Sequence, residues 1–387
     1  MKNNSKFKKI LIIANSSLFF KQHLYGLFQG SNYNTEIYFV TKKDLSFNLN
    51  GKNLKHIPIL INRNPSLIDI FTLIAYSIIR LRIRPDISLS FTPKASLINA
   101  LTGFLPGKTI HYFTGQRWTN YRGFKLFIFK MIDIFIIKIS DKTYSDSFSQ
   151  SKFISKELNV VQPKVIHYGS LSGVDLKKYS PKKILFSNKT ISNELNNSIK
   201  LKKLILEVKS NKDAIIFGFV GRINLDKGID LLIKAFQKHN RKFINNKLII
   251  LGPLEINKVH FMRLINNNEN ILHINNTDEP QNFYPEFDIL ILPSLREGFG
   301  SVIIEAAACK VPTISTKIPG PIDFIKHKQN GYFIKKNSIN SILKSLNFFA
   351  SNKEIINKMG ENAYNLVLEK YSRKIITENF INEFGIY

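Results

Sequence analysis

Two short segments in the second half of the chain combine glycines, cations and acids at spacings that suit phosphate and sugar hydroxyl groups. The first, residues 221–228, reads Gly-Arg-Ile-Asn-Leu-Asp-Lys-Gly and directly follows an apolar run. Its terminal glycines let the backbone turn sharply. Arg222 and Lys227 bring two cations to the start of an expected helix, whose amides and dipole also attract anions. The segment predicts a diphosphate-binding loop, and the alternative is an ordinary strand-to-helix turn with solvated charges.

The second segment, residues 293–305, reads Pro-Ser-Leu-Arg-Glu-Gly-Phe-Gly-Ser-Val-Ile-Ile-Glu after another apolar run. Its two glycines expose backbone amides at the start of a helix expected from Ser301. Glu305 lies four residues further on, so it falls on the same helical face one turn deeper. Glu297 in the loop and Glu305 in the helix can each accept hydrogen bonds from a polyol such as ribose. The alternative is a solvated Glu297 and a Glu305 satisfied beneath the helix, although an acid within an apolar run requires partners.

The elements that position both segments alternate between apolar strands and amphipathic helices, which predicts parallel sheets covered on both faces. Strands are expected at residues 9–14, 36–40, 86–91, 109–113, 143–146, 214–220, 247–251, 288–292 and 312–315. Helices are expected at 18–28, 65–84, 124–139, 227–238 and 301–310, and from about 339 to the end. Ligands of such sheets bind beyond the carboxyl ends of the strands, where both segments are expected.

The chain length indicates two domains, because 387 residues exceed one α/β domain of ordinary size. The expected divisions are an N-terminal domain at 1–175, a linker with an insertion at 176–212, a C-terminal domain at 213–370 and a C-terminal helix at 371–387. Residues 176–212 are rich in Lys, Asn and Ser with poor apolar periodicity, which favours a connection. The final helix can cross back to the first domain.

The two segments together resemble the signature of the family 4 retaining glycosyltransferases. Gly-Arg-x4-Lys-Gly is followed about 70 residues later by Glu-Gly-Phe-Gly-x4-Glu, and the similarity continues to Gly331. The resemblance implies the GT-B fold, an α/β architecture of two Rossmann-like parallel-sheet domains facing across a cleft. The N-terminal domain would bind the acceptor and the C-terminal domain the nucleotide sugar. Lys310 stands where the family usually has glycine, at the far end of the helix.

The resemblance also implies roles for individual residues. Arg222 and Lys227 would bind the nucleotide diphosphate, Glu297 would contact the transferred sugar, and these three are the catalytic candidates. Glu305 would hold the ribose. The donor-binding candidates are Gly221, Phe299, Gly300, Ser301 and Glu305.

The first half is similar, more loosely, to a subgroup that builds capsule and O-antigen chains. The matching residues are Arg84-Pro85-Asp86-Ile87, Thr114-Gly115, Ser147-x-Ser149, Gly173-Val174-Asp175 and a Phe-x-x-His element ending at His23. The glycine pair of the family's first loop is absent, with Asn15-Ser16-Ser17 in its place. His111 is expected to pack within its strand. The acceptor-side candidates are His23, Lys94 and Gln116.

The net charge of +28 indicates anionic partners, although dispersed lysines are also typical of an AT-rich genome. Residues 121–139 interleave basic and aromatic side chains and could lie in a lipid interface, or form a core helix. The sequence has no convincing export signal, no apolar stretch long enough to span a bilayer and a single cysteine, Cys309. We expect a cytoplasmic protein, peripheral on the inner face of the cytoplasmic membrane.

The implied reaction moves a sugar from a nucleoside diphosphate, expected to be uridine diphosphate, to a lipid-diphosphate-linked saccharide. No metal or other cofactor is expected, because Arg222 and Lys227 can stabilise the departing diphosphate. One alternative is a basic nucleic-acid-binding protein, which is disfavoured because no helix-turn-helix, zinc-finger or RNP signature is present. The other alternative keeps the GT-B fold but performs phosphorolysis or epimerisation.

Overall fold

The computed structural model describes residues 7–28, 34–42, 53–62, 65–181, 195–211, 213–266, 268–275, 277 and 279–386. The chain divides into two compact units. Unit 1 consists of Met1–Ser172 with Arg373–Tyr387, and unit 2 of Gly173–Ser372. Each unit is built on one sheet of six parallel strands.

The sheet of unit 1 has the strand order β3-β2-β1-β4-β5-β6. Its strands are β1 (Lys8–Ile13), β2 (Thr35–Thr41), β3 (Leu54–Pro58), β4 (Ile87–Ser90), β5 (Lys108–Phe113) and β6 (Lys142–Ser145). In β1, which pairs with β2 and β4, the consecutive residues Ile10–Ile13 alternate between the two faces and are all buried. The central strand is therefore apolar on both faces, as a sheet covered by helices requires.

Unit 1 carries helices on both sides of this sheet. They are α1 (Ser17–Phe19), α2 (Tyr25–Phe28), α3 (Ile68–Ile83), α4 (Pro93–Leu101), α5 (Gly123–Ile139) and α6 (Phe148–Leu158), with a π-helical turn at Phe20–Leu24. The last helix of the chain, Arg373–Phe384, belongs to the same unit and buries Phe380 and Phe384 in its core. The final helix thus crosses back to the first domain, which was one possibility in the sequence analysis.

The sheet of unit 2 has the order β12-β11-β10-β7-β8-β9, which repeats the topology of unit 1. Its strands are β7 (Ile216–Val220), β8 (Lys247–Leu251), β9 (Ile271–Ile274), β10 (Ile289–Leu292), β11 (Thr313–Thr316) and β12 (Gly331–Ile334). Its helices are α7 (Leu195–Ser210), α8 (Ile229–Asn240), α9 (Lys258–Ile265), α10 (Ser301–Ala308), α11 (Pro321–Phe324), α12 (Ile339–Ser351) and α13 (Glu354–Leu366), and the helix of unit 1 that ends the chain is α14. Both sheets have the doubly wound order of Rossmann folds.

The expected linker at 176–212 differs from what the structure shows, because Leu195–Ser210 within it forms helix α7. Leu201, Leu204, Ile205 and Val208 of α7 are buried in a core cluster of unit 2. Their spacing of i, i+3, i+4 and i+7 is that of an amphipathic helix, and the surrounding lysines conceal it in the sequence. The inserted region at 182–194 lies outside the described residues.

Candidate donor-binding site

The topology of unit 2 brings the two glycine-containing segments together. The strand order reverses between β7 and β10, which are hydrogen-bonded neighbours. One segment follows the carboxyl end of β7 and the other follows that of β10. This is the position at which doubly wound sheets bind their ligands, so both sequence-predicted segments lie at one site.

Backbone and side-chain contacts hold the two loops as one body. The Leu295 amide donates to the Asp226 carbonyl oxygen at 2.7 Å, and the Arg296 guanidinium donates to the Asp226 carboxylate at 3.0 Å. Gly228 has φ +67°, and a β-carbon there would lie 2.3 Å from the Pro293 carbonyl oxygen. This close approach requires glycine, and it explains the second glycine of the first segment.

One ion pair joins the two segments directly. The Lys227 ammonium donates to Glu297 Oε1 at 2.5 Å, and the two side chains are 20% and 9% exposed. Lys227 ends a short 3-10 turn at Leu225–Lys227, which the Asn224 side chain caps by accepting from the Lys227 amide. The site therefore holds a partly buried cation and a nearly buried carboxylate within one hydrogen bond.

Arg222 contacts an acid that the sequence did not indicate. Its Nη1 lies 2.9 and 2.6 Å from the two carboxylate oxygens of Glu255, and Asn224 Nδ2 donates to Glu255 at 2.9 Å. Glu255 follows β8, the strand adjacent to β7, at the same edge of the sheet. In the sequence Glu255 follows an apolar strand, but it belongs to neither of the two glycine-containing segments.

Helix α10 directs its N-terminus at this site. Gly300 caps the helix with φ +90°, and Ser301 is its first residue. The first amides of an α-helix have no acceptor within the helix, so they can serve an anion or a hydroxyl. Phe299 is 3% exposed and its ring packs 5.3 Å from that of Tyr371, so its side chain belongs to the core and only its backbone can serve a ligand.

Glu305 lies one turn into α10 and accepts a hydrogen bond from the Tyr284 hydroxyl at 2.6 Å. Tyr284 is fully buried, and burial followed by the Glu305 charge raises its pKa well above the usual value. The hydroxyl thus remains a donor and orients the carboxylate. The Glu305 charge also contributes, after burial, to raising the pKa of Cys309 to about 12, so this cysteine is an inert core residue.

The acceptor-side candidates lie in unit 1. His23 is half-buried in the π-helical turn, and its ring centroid is 5.0 Å from that of Phe19. Burial, and then the nearby Arg373 cation, lower its pKa to about 4, which makes it neutral at pH 7. The sequence alone could not show this, because Arg373 is distant in the chain.

Gln116 is 2% exposed in the loop that follows β5, and among the described residues neither its amide oxygen nor its amide nitrogen has a hydrogen-bond partner. An unsatisfied buried amide is costly, so it marks a position where a polar ligand or water gains a hydrogen bond. Lys94, by contrast, donates to Asp69 at 2.7 Å. His111 is buried within β5, its Nδ1 lies 3.3 Å from the Ser90 hydroxyl, and burial lowers its pKa to about 3.

Two Rossmann-type sheets in one chain are the fold of the GT-B class of proteins, and the sheet of unit 2 has a cation–carboxylate pair at its switch point. Comparison of the sequence with known families agrees, since the family described as "Glycosyl transferases group 1" matches residues 202–366. Residues 202–366 therefore form a glycosyltransferase domain of group 1, within a chain of GT-B fold. The structure of Anabaena HepE in complex with UDP and glucose has a similar fold, with a TM-score of 0.73, 14% identity and 98% and 99% coverage of the two chains.

Two curated relatives match most of the chain. The capsular polysaccharide biosynthesis glycosyltransferase CapM of Staphylococcus aureus is 28% identical over 91% of this chain and 93% of its own length. The Escherichia coli UDP-Gal:alpha-D-GlcNAc-diphosphoundecaprenol alpha-1,3-galactosyltransferase is 25% identical over 80% of this chain and 78% of its own. The present chain is accordingly a glycosyltransferase of surface polysaccharide synthesis.

Proposed function

We propose that the protein transfers a sugar from a UDP-sugar to a saccharide carried on a lipid diphosphate, with retention of anomeric configuration. The observation that carries the proposal is the contact between Lys227 and Glu297 at the switch point of unit 2. A cation and an acid in one hydrogen bond present complementary groups to the two halves of the donor. The diphosphate is anionic and the sugar offers hydroxyl donors.

In this proposal the donor separates Lys227 from Glu297. The ammonium turns to a diphosphate oxygen, and the carboxylate accepts from a hydroxyl of the transferred sugar. Arg222 and the N-terminus of α10 add positive potential as charge develops on the leaving diphosphate. The acceptor hydroxyl oxygen bonds to the anomeric carbon, the bond from that carbon to the diphosphate breaks, and the hydroxyl proton passes to a diphosphate oxygen.

The proposed donor and acceptor are inferred from the chemistry of the site residues and from what the relatives are named for. The E. coli relative uses UDP-galactose and an acceptor on diphosphoundecaprenol, as its name states, and the HepE structure contains UDP. Glu305, oriented by Tyr284, is the residue that would accept hydrogen bonds from the ribose. Gln116 would supply its unsatisfied amide to a hydroxyl of the acceptor saccharide.

The proposal includes activity without a metal ion. Two cations and a helix N-terminus can neutralise the diphosphate, a task that a divalent cation performs in other transferases. Among the residues that the structure describes, no three His, Cys, Asp or Glu side chains cluster as a metal site. Full activity in EDTA is therefore the expected result.

We also propose that the protein acts at the inner surface of the cytoplasmic membrane. In the described ranges, every helix is too short or too polar to cross a bilayer. Helix α5 exposes Phe124 and Phe127 together with Lys125 and Lys138, a combination that suits an anionic lipid interface. Flotation with anionic liposomes at low salt, lost at high salt, would support this placement, and absence from the lipid fraction would refute it.

The test of the function is a transfer assay with purified protein, radiolabelled UDP-sugars and a short-chain prenyl-diphosphate saccharide in EDTA. The expected outcome is a labelled lipid-linked product, whose new linkage has the anomeric configuration of the donor by NMR. An inverted linkage would remove the retaining mechanism. The absence of a product with every UDP-sugar, in folded protein, would remove the proposal.

A further inference from the structure

Unit 1 contains a cavity that the proposed donor chemistry does not use. It measures about 110 Å³ and lies among α3, α4, α5 and the ends of β4 and β5. Its apolar lining includes Phe91, Leu97, Phe113, Trp118, Phe129 and Ile132. It is smaller than the apolar protein cavity of about 150 Å³ that binds benzene, so it can hold a short segment of a hydrocarbon chain.

Two helices beside the cavity present apolar side chains to solvent. These are Phe71, Ile74 and Ile78 of α3 and Phe124, Phe127 and Met131 of α5. Each set has the spacing i, i+3, i+7, which places it on one face of its helix. Such a face ordinarily packs into a core, so its exposure on both helices indicates an apolar ligand or surface. Helix α4, between them, contacts both α3 and α5.

The charged groups at the cavity favour an anionic amphiphile. Arg117 lines the cavity, donates to the Tyr121 hydroxyl at 3.1 Å and has no carboxylate at ion-pair distance among the described residues. Lys94 is paired with Asp69 at 2.7 Å. Asp133 accepts from the Trp118 indole at 2.8 Å. One cation at the cavity is thus not paired with an acid, and a phosphate would pair with it.

We propose that this cavity, with the exposed apolar faces of α3 and α5, binds the hydrocarbon chain of the lipid-linked acceptor and that Arg117 contacts its phosphate. The identity of the lipid rests on the proposed function. A chain with a phosphate fits better than a protein partner, because α5 also exposes Lys125 and Lys138 and its one acid already contacts Trp118. The chain would enter from the side of the exposed helix faces.

The protein carries its own probe, since Trp118 is the single tryptophan of the chain and lines the cavity. We would titrate the full-length protein with a brominated alkyl phosphate below its micelle-forming concentration and record tryptophan fluorescence. Saturable quenching that farnesyl phosphate reverses is the expected result. Inorganic phosphate alone should leave the fluorescence unchanged. Quenching that does not saturate, or that farnesyl phosphate does not reverse, would overturn the proposal.

Matched variants locate the binding. Ile132→Phe fills the cavity and should abolish saturable quenching, whereas Ile244→Phe makes the same substitution at an exposed position of unit 2 and should leave it intact. Leu97→Phe serves as a second filling variant if Ile132→Phe does not fold. Arg117→Gln should raise the half-saturating concentration roughly tenfold, the usual effect of losing one charged hydrogen bond. Equal quenching in the filling variants and in Ile244→Phe would exclude the cavity.

The measurement separates this inference from the proposed function. It contains neither nucleotide nor saccharide, so quenching by the alkyl phosphate does not depend on sugar transfer. A protein that transfers sugar but shows no saturable quenching would overturn this inference and leave the function standing. Saturable quenching in a protein without transferase activity would support the lipid site and refute the function. Vesicles of brominated phosphatidylglycerol test for a general membrane contact of the exposed faces of α3 and α5. If they quench the fluorescence equally and farnesyl phosphate does not reverse this quenching, the inference is overturned.

Discussion

The Lys227 ammonium and the Glu297 carboxylate lie 2.5 Å apart, although 70 residues separate them in the chain. The contact joins the loop after β7 to the loop after β10 at the switch point of one sheet. Each side chain therefore satisfies the other before any donor binds. A donor must offer both a better anion for Lys227 and hydroxyl groups for Glu297, and a nucleoside diphosphate sugar offers both.

Lys227→Ala tests whether the Lys227 ammonium stabilises the diphosphate in the transition state. Loss of one charged hydrogen bond to the diphosphate should cost about 1.5–3 kcal/mol of transition-state stabilisation, or roughly tenfold to hundredfold in kcat/KM. Steady-state transfer rates give the measurement. Lys310→Ala is the control, because Lys310 contacts Glu361 at 2.6 Å in the same unit and away from the site. Equal rates for Lys227→Ala and wild type would remove Lys227 from the mechanism.

Glu297→Gln should separate binding from turnover. The variant removes the carboxylate that competes with the diphosphate for Lys227, so UDP should bind with similar affinity or roughly 2- to 5-fold more tightly. Sugar transfer should nevertheless fall, because the acceptor of the sugar hydroxyl has lost its charge. Isothermal titration with UDP and the transfer assay measure the two effects, with Glu361→Gln as the matched control. Markedly weaker UDP binding by Glu297→Gln would contradict this competition.

Tyr284→Phe tests whether Tyr284 positions Glu305 for the ribose. The variant removes one hydrogen bond to the carboxylate, so the affinity for UDP should fall roughly fivefold, equivalent to about 1 kcal/mol. Inorganic pyrophosphate has no ribose, and its affinity should not change. Competition binding of the two ligands to wild type and variant gives the comparison. An equal loss for both ligands would indicate a general distortion of the site.

Asp146 should make the stability of the protein depend on pH. Burial raises its pKa from the usual value to about 8, and its Oδ1 atom has no hydrogen-bond partner within the part of the chain that the structure describes. The folded state therefore retains a proton that the unfolded state loses near pH 4, so the contribution of Asp146 to stability falls as pH rises from about 4 to about 8. Asp146→Asn should not show this loss. The free energy of unfolding of the variant, relative to that of wild type, should therefore be higher at pH 8.5 than at pH 5.

Melting temperatures of wild type and Asp146→Asn at the two pH values measure that difference, and the comparison at each pH cancels the effects of other groups. A difference of about 1 kcal/mol corresponds to a shift of roughly 2–4 °C. If the melting temperatures of wild type and Asp146→Asn differ by the same amount at both pH values, the pKa of Asp146 is not raised in the folded protein.

Most of the fold follows from apolar periodicity, and the strands that the sequence analysis did not predict share a physical reason. The three are β3, β9 and β12, and each forms an edge of its sheet. An edge strand has one strand neighbour, so its sequence carries less of the continuous apolar run that marks a central strand. Strand β3 also ends in Pro58, a residue that edge strands tolerate.

Part of the candidate donor-binding site could be predicted from the sequence. Arg222, Lys227, Glu297 and Glu305 stand at fixed spacings within two segments, and the structure brings those segments to one switch point. Glu255 and Tyr284 were not predicted, because their relation to Arg222 and Glu305 arises only when β8 and a 3-10 turn at Tyr284–Glu286 pack beside the loops. The cavity at Trp118 was hidden for the same reason, since four separate segments line it.

The central claim, that the two loops of unit 2 bind a uridine nucleotide, is tested most directly by the thermal shift of wild type and Glu305→Ala with UDP and GDP. A ligand that binds only the folded state adds about 2.7 kcal/mol at a hundredfold excess over Kd. The account predicts a clear shift with UDP, a smaller shift in Glu305→Ala and little response to GDP. The absence of a shift with any nucleotide, in folded wild-type protein, would contradict it.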